Sequence, residues 1–271
     1  QARAQARVTI EQLASDALAG DLEIGRVDEL GLGRARFTEV VLRDDQRRLV
    51  ISIPELTVWP DLRALFEEDA RVRIAGAHAR RPFVRLYTVD DIGGPDPEGL
   101  EVSLVRAFQP ARPGPPGGEP VHIVLENLQL EDATVVGDAP RFPNLVVQEL
   151  DVVGRIEIDE AVLIQVFDAH GRMTAPYGGD THLDRATVRF SNDWDQGLDA
   201  YAIVHREGTR AAARVRVTRP GRGASSPRLW LRAQVDPLEA RTLEVMGLTP
   251  PGVLVGRARG HLSLEGPTES R

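Results

Sequence analysis

Short runs in which apolar and polar residues alternate recur along most of the chain after Gly20. Val72 and Ile74, for example, flank Arg73, and the same spacing returns at about a dozen places. An alternation with a period of two places apolar side chains on one face of a β-strand. Runs this short, at hairpin-like intervals, predict an all-β protein whose strands pair mostly antiparallel.

Helical patterns are few. Residues 7–20 carry apolar side chains at spacings of three and four, and Gly20 is a natural stop, so we predict an N-terminal amphipathic helix. A second, short helix is predicted over residues 237–246, with Asp236 as its cap and Pro237 at its first position. Pro54 lies where the alternation changes phase, which indicates a bulge or an edge strand.

One segment interrupts the strand pattern. Residues 109–120 contain five prolines in twelve residues, which is typical of an extended connector rather than of a paired strand. We therefore divide the chain into a first segment, 1–108, with the helix and the first strands, a connector, 109–120, and a second β segment, 121–271, that continues the same sheet.

The composition excludes several classes of chemistry. The chain has no cysteine, and all 33 of its basic residues are arginine. It therefore has no thiolate nucleophile, no cysteine-bound metal, no Schiff-base lysine and no phosphate-loop lysine. The net charge of −8 argues against a general nucleic-acid binder. We predict a protein that is not an enzyme and that has no cofactor and no metal.

The segment that most resembles a metal site does not change the prediction that the protein binds no metal. Residues 192–199 place carboxylates two apart before a glycine, which loosely resembles a calcium loop. The terminal glutamate and the flanking helices of such a loop are missing, so we interpret the segment as a hairpin turn between two strands. The six histidines show no zinc-binding spacing.

Two architectures can bury the apolar face of so many strands. Two sheets can pack as a sandwich, or one long twisted sheet can curl and leave an apolar trough suited to acyl chains. The pattern alone does not choose between them. Arginines separated by two positions, such as Arg214 and Arg216, are expected on the opposite, solvent-exposed face of the sheet.

A series of short sequence segments along the chain resembles the corresponding segments of AsmA/TamB-type proteins of Gram-negative envelopes. The N-terminal segments are residues 18–20, 21–27, 36–42, 44–45, 49–53, 56–58, 61–62, 72–74 and 82–86, and the later ones are 128–130, 133–135, 150–152, 236–238 and 256–266. The resemblance covers most of the chain apart from the connector. It implies no catalytic residues.

The resemblance implies a long curled, mostly antiparallel sheet with an open groove, a periplasmic location and an inner-membrane anchor just before Gln1. It also implies a role in carrying phospholipids between the inner and outer membranes, with partner proteins in either membrane. Alternatives are a scaffold for outer-membrane protein assembly, through strand addition at sheet edges, and a β-sandwich binding module.

Under the lipid-transfer hypothesis the groove is lined by apolar residues from most of the predicted strands. They are Leu22, Ile24, Val41, Ile51, Ile53, Val72, Ile74, Val84, Leu86, Ile123, Leu125, Ile156, Ile158, Val162, Ile164, Val166, Val188 and Val215.

Overall fold

A computed structural model describes residues 2–61, 71–87, 104, 107–108, 122–139, 142–158, 162–174, 181–191, 197–206, 208–218, 228–239 and 257–267. Within these residues it has one helix whose bounds are defined, α1 (Ala2–Ala17), and thirteen strands. The strands are β1 (Asp21–Leu30), β2 (Ala35–Arg43), β3 (Leu49–Pro60), β4 (Arg71–Arg80), β5 (Phe83–Leu86), β6 (His122–Ala139), β7 (Phe142–Ile158), β8 (Val162–Met173), β9 (Thr181–Ser191), β10 (Leu198–Arg206), β11 (Thr209–Thr218), β12 (Arg228–Glu239) and β13 (Arg257–Pro267).

All thirteen strands belong to a single sheet. Its order is β1-β2-β3-β4-β6-β7-β8-β9-β10-β11-β12-β13, with β5 paired to β3 and β6. Only the pairings of β4 and β5 with β6 are parallel among the described strands, and these pairings join the strands on either side of residues 109–120. The predicted all-β class, with a long, mostly antiparallel sheet and an N-terminal helix, is confirmed.

A row of backbone irregularities crosses the first half of the sheet. Gly25 of β1 lies opposite Glu39 of β2, which has a φ of 57° and lies opposite Pro54 of β3. The row continues with Arg81 between β4 and β5 and with Asp132 of β6, whose φ values are 50° and 55°. The side-chain alternation changes phase across this row, because Val40 and Phe37, three positions apart in β2, both belong to the same buried cluster.

The structure confirms the phase change predicted at Pro54 and corrects the prediction that it marks an edge strand. Thr38 pairs with Glu55 and Val40 pairs with Ile53, so Pro54 lies opposite the left-handed Glu39. The phase of the alternation changes there, as expected. However, β3 is an interior strand, paired with β2 and β4, so the edge-strand interpretation is wrong.

Among the described side chains of α1, one apolar and two polar ones contact the first strands. Ile10 contacts the buried cluster of β1 and β2. The Glu11 carboxylate accepts a 2.8 Å hydrogen bond from the Ile24 backbone N–H, and Arg7 donates to the Gly25 carbonyl at 3.3 Å. These bonds occupy backbone groups of an end strand that would otherwise be open to pairing.

The short helix predicted over residues 237–246 does not begin at Pro237. Strand β12 runs on to Glu239, and Leu238 pairs with Ala258 of β13. A proline is tolerated there because the ladder of β12 and β13 shifts register between Val235 and Leu238. Residues 240–246 of this prediction lie outside the described residues.

Candidate lipid-binding face

The register of the strands defines two faces of the sheet. Directly paired residues point to the same face, and one such row joins Val166, Val188, Ala200, Val215 and Leu231 on five successive strands. We call the face that carries this row the core face, and the opposite side of β9–β12 the arginine face.

The structure places all but two of the predicted lining residues on the core face. Val41 pairs with Glu23 and Ser52, so it lies on the opposite face. The backbone of Val72 pairs in register with Ile123, and its side chain lies outside the described residues. The register thus brings together, on one continuous face, side chains that are up to about 190 positions apart in the chain.

The core face is covered at the β1 end. Ile24, Val40, Leu42 and Val50 are each 5% exposed or less. Ile10 of α1 packs against the cluster of Ile24 and Val40. A second cluster joins Leu42 and Val50 to Ala107, with Leu104 and Phe108 packed against it. At this end, therefore, apolar side chains from the chain itself occupy the space that the sequence-based hypothesis gave to a ligand.

The other end of the core face is different. From β9 onward, the described part of the chain contains no buried apolar side chain. The apolar residues of this face on β9–β12 are all partly exposed. They are Leu183, Ala186, Val188, Phe190, Leu198, Ala200, Ala202, Val204, Ala211, Ala213, Val215, Val217, Leu229, Leu231, Ala233 and Val235.

A row of alanines runs from the buried Ala169 of β8 across this partly exposed region. Ala169, Ala186, Ala202, Ala213 and Ala233 pair in direct register from β8 to β12. Larger apolar side chains flank the row on neighbouring strand positions except at Ala200 and Ala211, so the row is a strip of small residues across the strands. Four strand spacings give it a length of about 19 Å. We call these five residues the alanine row.

The alanine row was not among the residues predicted to line a groove. Each alanine is one small residue within a longer alternating run, and nothing in the local sequence distinguishes it from an alanine that only packs within the sheet. Its significance appears only when five strands are set in register, which the sequence does not specify to within one residue.

The arginine face carries an ion-pair cluster centred on Asp199. Arg214 donates two hydrogen bonds to the carboxylate, from Nε to Oδ1 at 2.8 Å and from Nη2 to Oδ2 at 2.7 Å. Arg216 Nε donates to Oδ2 at 3.1 Å. The hydrogen bond from Arg214 is the largest cause that lowers the pKa of Asp199, and the charges of both arginines act in the same direction against partial desolvation.

The region of the predicted hairpin turn is partly described. Ser191 N–H donates to the Gly197 carbonyl at 3.0 Å, and Phe190 pairs with Leu198. Residues 192–196 lie outside the described residues. Asp199, the last carboxylate of the calcium-like pattern, is bound to arginines, and among the described residues no three metal-ligating side chains come together.

Neither of two comparisons with known proteins assigns a family. No protein-family model matches the chain, and no curated protein matches it. Within the described residues, no helix is long and apolar enough to cross a membrane.

Proposed function

We propose that the protein binds phospholipid acyl chains on the partly exposed region of its core face, over β9–β12, and acts as a periplasmic lipid-transfer module. The observation that carries the proposal is the partly exposed apolar face of β9–β12, crossed by the alanine row. A face of this kind rarely stays uncovered in a soluble protein unless it meets a ligand or a partner.

The shape of the alanine row suits an extended acyl chain. Leu231 and Val215 on one side of the row, and Val204 and Val235 on the other, are larger than the alanines between them. A hydrocarbon chain lying along the row would lose contact with water, and each methylene transferred contributes about 0.8 kcal/mol. Because that contribution is the same for any hydrocarbon, we expect the face to bind acyl chains in general rather than one particular lipid.

The cellular part of the proposal rests on the sequence. The resemblance to AsmA/TamB-type proteins supports transfer of phospholipid between the inner and outer membranes, with an anchor ahead of Gln1. The covered β1 end supports a division of labour within the chain, in which α1 and β1–β3 provide stability and β9–β12 provide the binding surface.

Native mass spectrometry of the purified chain tests the proposal, with Ala213→Phe as the key variant. The phenyl ring would fill the alanine row without adding charge. Ala212→Phe is the matched control, because Ala212 pairs with Ile203 and Gln234 on the opposite face. We expect the wild type and Ala212→Phe to retain co-purified phospholipid. We expect Ala213→Phe to carry at least tenfold less phospholipid than the wild type.

The two substitutions share a strand, a size change and a starting residue, so a general loss of folding affects both. Circular dichroism melting curves check that the variants are equally folded. Equal lipid retention by the two folded variants, or no phospholipid on the wild type, would contradict the proposed function.

A further inference from the structure

The register of β9 and β10 brings two histidines together on the arginine face. His182 pairs directly with His205, while their neighbours Leu183 and Val204 pair on the core face. The two imidazole rings stack with their centroids 4.7 Å apart and their planes 9° from parallel. Both histidines are exposed. Because they lie on different strands, the spacing of histidines in the sequence does not indicate this pair.

A carboxylate fixes the position of the proton on one of the two rings. His205 Nδ1 forms a hydrogen bond with Asp184 Oδ1. An ionised carboxylate only accepts hydrogen bonds, so Nδ1 carries the proton and the lone pair of the neutral ring lies on Nε2. Histidines that bind metal ions usually donate their second ring nitrogen to a carboxylate or a carbonyl in this way.

The separation of the two rings suits one shared metal ion. Zinc–nitrogen distances are about 2.0–2.1 Å, so two nitrogens that bind the same ion lie no more than about 4.2 Å apart. Rings with centroids 4.7 Å apart reach that separation when their nitrogen-bearing edges tilt toward each other. The exposed ring of His182 has room to turn either of its nitrogens toward Nε2 of His205.

The arginines on either side of the histidine pair are held by carboxylates. Arg172 of β8 and Arg210 of β11 flank the pair in direct register. Arg172 Nη2 donates to Glu149 Oε1 at 2.8 Å, and Arg210 Nε lies 3.9 Å from Asp184 Oδ2. The two carboxylates offset the charge of the two guanidinium groups, which would otherwise repel a cation.

We propose that His182 and His205 bind one divalent transition-metal ion on the arginine face, with water in the remaining coordination positions. Imidazole nitrogen suits Cu²⁺, Ni²⁺ and Zn²⁺, whereas Mg²⁺ and Ca²⁺ prefer oxygen ligands. Asp184 is a positioning residue, because it orients the ring of His205 and does not itself bind the ion. The proposal departs from the sequence-based prediction of no metal, because the pair exists only through the pairing of β9 with β10.

Isothermal titration calorimetry of the purified chain, without an affinity tag, measures the binding of Cu²⁺, Zn²⁺ and Mg²⁺. The test variant is His182→Gln, and Asp184→Asn tests the positioning role. The matched control is His78→Gln on β4, which removes a histidine whose Nε2 lies 3.0 Å from a Glu131 carboxylate oxygen. Circular dichroism checks that the variants are folded.

We expect the wild type to bind one Cu²⁺, to bind Zn²⁺ more weakly, and to bind no Mg²⁺. His182→Gln should bind Cu²⁺ at least tenfold more weakly, Asp184→Asn about tenfold more weakly, and His78→Gln as the wild type does. The electron paramagnetic resonance spectrum of the Cu²⁺ complex should show two ring nitrogens in the wild type and in Asp184→Asn, and one in His182→Gln.

Three results would overturn the proposal. They are no binding of Cu²⁺ or Zn²⁺ by the wild type, Cu²⁺ binding that His182→Gln leaves unchanged, and equal weakening by His78→Gln. The metal titration reads the arginine face, whereas the Ala213→Phe experiment reads the core face, so the two proposals fail separately.

Discussion

At the scale of single residues, a buried carboxylate organises the turn between β2 and β3. Asp44 is 1% exposed. Its Oδ1 accepts hydrogen bonds from the backbone N–H groups of Gln46 and Arg48 at 3.0 and 2.8 Å, and its Oδ2 accepts one from Arg48 Nε at 2.7 Å. A buried carboxylate is tolerated only when its oxygens are satisfied in this way.

Replacing Asp44 with alanine should lower the free energy of unfolding by about 1–3 kcal/mol, because buried donors would lose their acceptor. Urea denaturation measures the change. The neighbouring Asp45→Ala, at an exposed position, removes the same charge and should change stability by less than about 1 kcal/mol. Equal effects of the two substitutions would show that the turn depends on net charge rather than on these bonds.

Asp199 gives a pH dependence of predictable sign. Its pKa is lowered below the ordinary value of 3.8 in the folded protein, so its contribution to stability is complete above about pH 4 and is lost as the pH falls through the lowered pKa. Its side chain is 35% exposed, so solvent screening limits that contribution to about 1 kcal/mol. The difference in unfolding free energy between the wild type and Asp199→Asn should therefore be present at pH 7 and vanish toward pH 2. A difference that grows on acidification would contradict the assignment.

At the scale of elements, the row of irregularities across β1–β6 depends on close backbone approach at Gly25. A Cβ placed there would lie 2.7 Å from the Cβ of Glu39, which cannot move without the β2 backbone. Gly25→Ala should therefore lower the free energy of unfolding by about 1–3 kcal/mol, as overpacking does. Thermal or urea unfolding measures the effect. Gly33→Ala, where a Cβ meets nothing within 4 Å, is the control and should be nearly neutral. If Gly33→Ala destabilises the protein as much as Gly25→Ala does, the close approach is not the cause.

The sequence predicted the individual strands better than it predicted which strands pair with one another. The alternation of apolar and polar residues predicted the strands because it is a local signal, and the phase change at Pro54 matched the position opposite the left-handed Glu39. The alternation misled at Pro237, because cap and proline signals were outweighed by the pairing of β12 with β13. The parallel pairing of β4 with β6 has no local signal, since it joins strands separated by the connector.

The same limit applied to the binding face. Apolar residues on alternating positions were recognised as one face, yet Ile51 and Val215 are identical in pattern. Ile51 packs against the cluster of Leu42 and Val50, whereas Val215 lies on the partly exposed region. Only the placement of α1 and of residues 104, 107 and 108 separates them, and that placement depends on tertiary contacts.

At the scale of the whole molecule, the protein is one sheet with unequal ends. At the β1 end the chain buries its own apolar face and occupies the outer backbone groups of β1. From β9 onward it leaves the corresponding face partly exposed. An apolar face that is covered at one end and available at the other is suited to holding a ligand on a stable support.

Photo-crosslinking with a phospholipid that carries a photoactivatable acyl chain tests this account most directly. Mass spectrometry of the digested adduct reports which residues the chain contacts. The account predicts adducts at core-face positions of β9–β12, above all next to Ala202 and Ala213, and none at their immediate neighbours Ile203 and Ala212 on the opposite face. Adducts on both faces alike, or adducts confined to the edge of β13, would contradict it, and the second result would favour a scaffold that adds strands at that edge.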